Sequence, residues 1–327
     1  MQQQHPSCIA SDRLSKAEIP NVAYHAWLGG GKLMFAKLLS VLSVHYLMKP
    51  DQHILLYDEE PNDALEWQCA CRVARCERIE LRSEIFGNAL DRAVATNDRY
   101  ASDRLGRCAN AQLDLLRIDT LLEGAAGGGS ASGSASGGGF FLDLDVYILK
   151  SLDPWRRQCA SASAVFGRDF DGLLNPGVLL APPSSAFLHS WRESFRSYRA
   201  RAFDYGACNH TTDLAARLAS SAQHHVHAAA ELGPLPRYRA TAAYDAHITA
   251  NPVAHLSAFR HPWRLHDIMN ARHLERIWEI VARSVNESKR ANPTERVNAD
   301  PLIAKCLEQV AGACWARRGG KCGIYGA

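Results

Sequence analysis

The sequence predicts an α/β protein in which a sheet is flanked by helices. Strand-like runs rich in aromatic and β-branched residues alternate with helix-like segments up to about residue 180. Most intervening segments carry apolar residues at helical spacing, which predicts one buried face per helix. Beyond residue 200 the pattern is mainly helix and loop, and we expect this part to pack over the ligand-binding end of the sheet.

The first elements are each bounded by a local stop signal. The first strand ends at Gly29-Gly30-Gly31, and the first helix is closed by Pro50. In chain order the predicted elements are strand 19–27, helix 32–49, strand 53–57, helix 64–76 and a short strand at 78–81.

A Gly/Ser/Ala-rich tract over 124–139 interrupts this pattern. It lacks the Lys-Ser/Thr of a phosphate-binding loop, and it precedes a strand instead of following one. We therefore interpret it as a flexible insertion in a helix-to-strand turn. Around it, the predicted elements are helix 111–123, strands 140–149, 163–168 and within 173–183, and helices 187–200, 207–232, 275–284 and 301–316.

Composition narrows the class of protein. The 327 residues carry a net charge of +3, which is too small to indicate nucleic-acid binding. No apolar run is long enough to cross a membrane, so we expect a protein soluble where it is made, or one whose N-terminal anchor is missing from this chain. Ten cysteines and Asn-x-Ser/Thr triplets at Asn209 and Asn286 favour an oxidising secretory lumen; the alternative is a cytoplasmic protein with buried thiols.

The segment 140–149 contains the main candidate site residues, Asp143 and Asp145. Apolar residues surround both carboxylates there. Carboxylates on a buried strand are costly unless a partner compensates their charge. A divalent cation near the strand end would do so, since Mg²⁺ and Mn²⁺ take oxygen ligands from carboxylates and phosphates. The segment predicts a metal-bridged phosphate site; the alternative is an edge strand whose carboxylates face water at a turn.

The helix before this strand carries two more charged residues. Asp114 and Arg117 are three positions apart and share one helical face, so they can form an ion pair. On a buried helix the pair would direct polar groups at the same site as the two carboxylates. The alternative is a surface ion pair.

Several motifs in one order resemble the DXD-containing sugar transferases of the GT32 type, related to initiation mannosyltransferases and α-1,4-galactosyltransferases. The resemblance covers about residues 19–195 and extends faintly to 254–256. It is carried by Ile19, Pro20 and Trp27, Asp58, Asp114 and Arg117, Gly138 and Gly139, Asp143 and Asp145, residues 150–154, and Asn175.

The resemblance implies a GT-A-like fold and a metal-dependent transferase. Such an enzyme moves a hexosyl unit from a UDP- or GDP-sugar to a hydroxyl of a glycan or glycolipid, with retention at the anomeric carbon. In this chain it implies Mn²⁺ or Mg²⁺ on Asp145 and Asp143, with His255 on the metal side. The resemblance also implies residues that bind the donor or take part in catalysis beside Asp143 and Asp145. They are Trp27, Tyr24, Asp114, Arg117, Gly139 and Asn175.

The implied organisation has three parts. Residues 1–18 form a disordered segment, residues 19–200 form the nucleotide-sugar-binding domain with the insertion at 124–139, and residues 201–327 complete the acceptor side. The implied compartment is the Golgi or another part of the secretory lumen. One departure concerns the first strand, where Tyr24 replaces the family's His and His25 follows one place later.

Other interpretations stay open. A haloacid-dehalogenase-type phosphatase also has Asp-x-Asp after a strand, but that family has Thr or Val four residues after the first Asp, where Tyr147 stands. A transferase-like protein could bind carbohydrate without turnover. Single residues also have structural explanations: Trp27 as core, Asn175 as a turn cap and His255 as a packing residue.

Overall fold

The computed structural model describes residues 18–31, 33–61, 65–80, 113–124, 137–169, 171–195, 207–233, 246, 248–255, 266–292 and 300–315. Residues 1–17 of the predicted disordered segment and 125–136 of the predicted insertion lie outside this part of the chain.

A seven-stranded mixed sheet and a two-stranded sheet are present. The large sheet has the order β3-β2-β1-β4-β7-β6-β8, and β5 pairs with β9. Strand β2 is parallel to β3, whereas β6 is antiparallel to β7 and parallel to β8. The strands are β1 Val22–Trp27, β2 Gln52–Tyr57, β3 Arg75–Arg78, β4 Gly139–Leu142, β5 Val146–Ile148, β6 Ala164–Arg168, β7 Leu174–Ala181, β8 Val226–Ala229 and β9 Val253–His255.

Helices flank the sheet, which confirms the predicted α/β class. The first helix continues into a π-helical turn over Val44–Met48, and Lys49 ends it with a φ of +53°. The helices are α1 Phe35–Ser43, α2 Leu65–Val73, α3 over 113–123, α4 Asp153–Gln158, α5 Ala186–Ser194, α6 Ala207–Leu218, α7 His266–Ala291 and α8 Pro301–Trp315. None of the described helices combines the length and the apolar composition that a membrane crossing requires.

Two compact units are assembled from interleaved segments. The first unit contains residues 1–22, 79–141 and 153–230, and the second contains 23–78, 142–152 and 231–327. The expected assignment of a nucleotide-sugar part and an acceptor part to residues on either side of position 200 stays a prediction.

In the second unit the apolar face of α1 lies in a core shared with α2, α7 and the turn before β5. Leu38, Leu39 and Leu42 of α1 are buried together with Ile277 and Val281 of α7. A disulfide between Cys69 and Cys306 joins α2 to α8, and a second disulfide joins Cys71 to Cys76.

In the first unit the core is aromatic. The ring of Phe166 on β6 lies 5.7 Å from Phe187 and 5.8 Å from Trp191, both on α5. Ser185 caps α5 by accepting a hydrogen bond from the backbone N–H of Leu188.

Several predicted elements were wrong in extent. The predicted strand 140–149 is two strands in different sheets, separated by a turn. The end of predicted helix 64–76 is strand β3, and the end of predicted helix 207–232 contains β8. In both cases parallel pairing with a neighbouring strand overrides local helix propensity, because tertiary pairing satisfies the backbone of these short segments.

Candidate functional site

Asp143 and Asp145 lie where one strand ends and the next begins. Strand β4 ends at Leu142, Leu144 and Asp145 form a turn, and the backbone N–H of Val146 donates to the carbonyl of Asp143 at 3.0 Å. The side chain of Asp145 is 16% exposed. The carboxylates therefore follow the buried strand instead of lying on it, which lowers the cost of removing them from water.

His255 is brought to this turn by strand pairing. Strands β5 and β9 are antiparallel, and Val146 is the register partner of His255. The Nε2 atom of His255 lies 3.5 Å from Oδ1 of Asp145, and the His255 side chain is 6% exposed. The structure thus joins two of the predicted metal-side residues.

The spacing of this pair fits a shared divalent cation. Two donor atoms that each lie about 2.1 Å from one ion can be up to about 4.2 Å apart. Within the described ranges, however, no three His, Cys, Asp or Glu side chains form a group able to hold a metal. The structure therefore places Asp145 and His255 together, and the part of Asp143 in the predicted metal set stays a prediction.

A glycine loop follows β1 at the same end of the sheet. Gly29, Gly30 and Gly31 have φ angles of +84°, +61° and +76°, which residues other than glycine rarely adopt. The carboxylate of Asp58, directly after β2, accepts from the Gly29 N–H at 2.8 and 3.1 Å and from the Glu59 N–H at 2.7 Å. Asp58 therefore orders the loop and fixes the ends of β1 and β2 side by side.

His25 connects β1 to the carboxylate turn. Its Nδ1 donates to the carbonyl of Leu142, the residue before Asp143, at 2.7 Å. The imidazole is fully buried, and burial lowers its pKa to about 4, so the ring is neutral near pH 7. His25 thus links β1 to the last residue of β4, and Asp58 links the loop after β1 to the end of β2.

Two of the residues predicted to bind the donor, Trp27 and Tyr24, occupy different places. Trp27 ends β1, packs partly buried against the core of the second unit, and has no hydrogen-bond partner for its indole N–H among the described residues. Tyr24 is fully buried. Burial, with a contribution from Glu77 on β3, raises the pKa of Tyr24 to about 12. Tyr24 is therefore a core residue beside β3, whereas Trp27 stands at the strand end.

The charged pair predicted on the helix is present in the first unit. Nη1 of Arg117 lies 3.0 Å from Oδ1 of Asp114, and these side chains are 3% and 6% exposed. The Arg117 guanidinium also lies 5.5 Å from the centroid of the Phe141 ring. The helix face is buried, so the alternative of a surface ion pair is excluded.

Asn175 and Gly139 have local structural roles in the first unit. The Asn175 side-chain oxygen accepts from the backbone N–H of Gly177 at 2.9 Å, beside a register shift between β6 and β7. Gly139 has a φ of +118°, and a Cβ there would overlap the carbonyl oxygen of Val22. These contacts explain both residues without a ligand; donor contact by either stays a prediction.

Sequence reasoning missed two serines that contact the carboxylate segment. Ser40 and Ser43 are fully buried on α1 and hydrogen-bond to the backbone of β5. The available signal was two hydroxyls on an otherwise apolar helix face, since buried hydroxyls require partners.

No family model matches the sequence, and no curated protein matches it. Solved structures with similar folds include the PaToxG glycosyltransferase, with 13% identity, 71% of this chain and 85% of that chain covered, and a TM-score of 0.40. A structure of the galactosyltransferase LgtC with donor and acceptor sugar analogues has 18% identity, coverage of 80% and 95%, and a TM-score of 0.39. The glycosyltransferase GlyE of Streptococcus pneumoniae TIGR4 has 13% identity, coverage of 83% and 64%, and a TM-score of 0.41. At these values the activity has to be argued from the side chains.

Proposed function

We propose that the protein is a metal-dependent glycosyltransferase. It transfers a hexosyl unit from a UDP- or GDP-sugar to a hydroxyl of a glycan or glycolipid, with retention at the anomeric carbon. The observation that carries this proposal is the 3.5 Å approach of Asp145 to His255 at the turn after β4. Carboxylates and an imidazole at a strand end suit a cation that shares its remaining positions with diphosphate oxygens.

Five residues of the second unit have a proposed part in this reaction. Asp145 and His255 would hold Mn²⁺ or Mg²⁺, which when bound neutralises charge on the leaving diphosphate. Asp143 contacts the metal or the donor ribose from the start of the turn. Trp27 packs on the nucleobase or shapes its pocket, and Asp58 holds the glycine loop in the conformation that faces the donor.

In the first unit, Asp114 and Arg117 are proposed to act on the donor sugar or diphosphate. Their burial and mutual contact keep both side chains in one conformation, which favours a preorganised site over a mobile surface pair. Gly139 and Asn175 are assigned to the donor side on the resemblance alone.

The proposed compartment is an oxidising one, such as the Golgi or another part of the secretory lumen. The disulfides Cys69–Cys306 and Cys71–Cys76 support it, because such bonds persist where thiols are not kept reduced.

The test is Mn²⁺-dependent release of sugar from UDP-galactose, UDP-glucose, UDP-N-acetylglucosamine and GDP-mannose. We expect slow hydrolysis of one donor, its loss in Asp145→Asn, and no loss in Glu279→Gln, an exposed carboxylate on α7. Release of phosphate from monoesters would support a phosphatase instead. Binding of sugar without any hydrolysis or transfer would support a carbohydrate-binding protein. Either result overturns the proposal.

A further inference from the structure

We propose that Ser40 and Ser43 are positioning residues for the Asp145–His255 pair. They stand in for a neighbouring strand along β5 and so fix the register in which Asp145 meets His255. This inference rests on the proposed metal site, and it assigns a function to side chains that neither bind substrate nor touch the metal.

Strand β5 has a strand partner on one side only within the described part of the chain. It contains the three residues Val146–Ile148 and pairs with β9 in a sheet of two strands. In an antiparallel strand the backbone groups of alternate residues point to opposite edges. The groups of Val146 and Ile148 therefore face away from β9, toward α1.

The two serines satisfy these outward-facing groups. Ser40 Oγ donates to the carbonyl of Val146 at 2.6 Å, and Ser43 Oγ accepts from the N–H of Ile148 at 2.9 Å. Ser43 Oγ also donates to the carbonyl of Ser40 at 2.7 Å. The carbonyl of Val146 thus has a hydroxyl donor and the N–H of Ile148 has a hydroxyl acceptor. A paired strand would supply the same two kinds of partner.

The serine contacts bear on the Asp145–His255 pair because they hold the strand residue next to Asp145. Val146 follows Asp145 directly, and Val146 is also the register partner of His255. A three-residue strand has few ladder bonds to resist slippage, and a slip by one residue would turn each side chain to the other face. The serine contacts oppose such a slip, since only the present register offers them Val146 and Ile148.

The hydrogen bonds between the two serines and β5 lie in a buried part of the protein. Val146 and Ile148 are fully buried, as are both serines, so water is excluded from the bonds. An alanine at either serine would leave a buried backbone group without its partner, and the segment would shift to recover one.

The test compares Ser40→Ala and Ser43→Ala with a matched control. Ser284→Ala also removes a hydroxyl that donates to a backbone carbonyl in the same unit, that of Tyr46 at 3.0 Å, but far along the chain from β5. The measurements are Mn²⁺ affinity by titration calorimetry without nucleotide sugar, at a temperature below each variant's melting point, and the melting temperature itself.

We expect the Mn²⁺ dissociation constant to rise by about tenfold or more in both β5-contacting variants, the scale seen when indirect partners of a ligand are lost. We expect less than about a twofold change in Ser284→Ala, and recovery of most of the affinity in Ser40→Thr, which retains the hydroxyl. Unchanged affinity in both folded variants would overturn the inference, as would an equal loss in Ser284→Ala.

If the wild-type protein binds no Mn²⁺, the proposed function fails and the positioning is judged by geometry alone. A crystal structure of Ser40→Ala with Asp145 and His255 separated would then support the inference. One that keeps their atoms 3.5 Å apart would reject it.

Discussion

Oδ1 of Asp145, just before β5, and Nε2 of His255, at the end of the paired strand β9, lie 3.5 Å apart. We expect His255→Ala to weaken Mn²⁺ binding by more than about tenfold, since even indirect partners of a metal ligand change affinity by that factor. Titration calorimetry measures the effect. His189→Ala, at an exposed histidine of the first unit, is the control and should leave the affinity unchanged. Equal affinities in the two variants would remove His255 from the metal site.

The ion pair between Asp114 and Arg117 predicts an asymmetric response to mutation. Arg117→Met leaves a buried carboxylate without its guanidinium and should lower the free energy of unfolding by about 3–5 kcal/mol. The double variant Asp114→Leu/Arg117→Met should recover most of that loss, because neither charge then remains buried. Urea denaturation measures both.

A control and a functional measurement accompany this pair. Arg276→Met breaks the exposed pair with Glu279 and should cost less than about 1 kcal/mol. If the double variant folds and keeps full transferase activity, the proposed action of Asp114 and Arg117 on the donor is wrong.

Two buried histidines predict loss of stability in mild acid. Burial lowers the pKa of His25 to about 4 and holds the pKa of His53 well below its usual value. Between about pH 6.5 and pH 4 the unfolded chain binds more protons than the folded one, so stability is complete above this window and falls as the pH drops through it. For His25 alone the loss across the window is about 3 kcal/mol.

Urea midpoints at pH 7.5 and pH 5 measure this effect. His25→Asn retains an N–H donor near the Leu142 carbonyl and does not titrate, so it should lose less stability between the two pH values than the wild-type protein does. An identical loss in both proteins would show that other groups cause the acid sensitivity.

Removing residues 126–136 should leave activity within about twofold of the wild-type value, because changing loop length alters closure entropy only slightly. The ends of the tract are held together by the chain on either side of it. The N–H of Gly138 donates to the carbonyl of Leu121 at 2.5 Å, and that of Gly124 donates to Thr120 at 2.9 Å. Donor hydrolysis and the melting temperature are the measurements. Complete loss of activity with an unchanged melting temperature would assign the tract a part in the reaction.

Local patterns predicted the features that depend on local geometry. The contact of Asp114 with Arg117 follows from their spacing on one helical turn, and the sequence placed both on a helix. The boundaries of β2 and β6 agree with the predicted strands to within one residue at each end, because apolar runs with clear stop signals specify strands well.

The prediction failed where a segment's partner lies far away in the chain. The apolar run 140–149 indicates a strand, but nothing within it shows that the backbone turns at Leu144 and Asp145 to join a second sheet. Likewise, β3 and β8 form strands because they pair in parallel with β2 and β6. Those partners lie outside the short stretch of sequence from which each element was predicted.

By itself the sequence determined the α/β class and the Asp114–Arg117 contact, and it singled out Asp143 and Asp145 as carboxylates in an apolar segment. Only the tertiary structure decided that Asp145 meets His255 and that serines of α1 line β5. The physical reason is that helical and strand periodicity act over a few residues, whereas strand register and the satisfaction of buried backbone groups are set by whichever distant segments pack together.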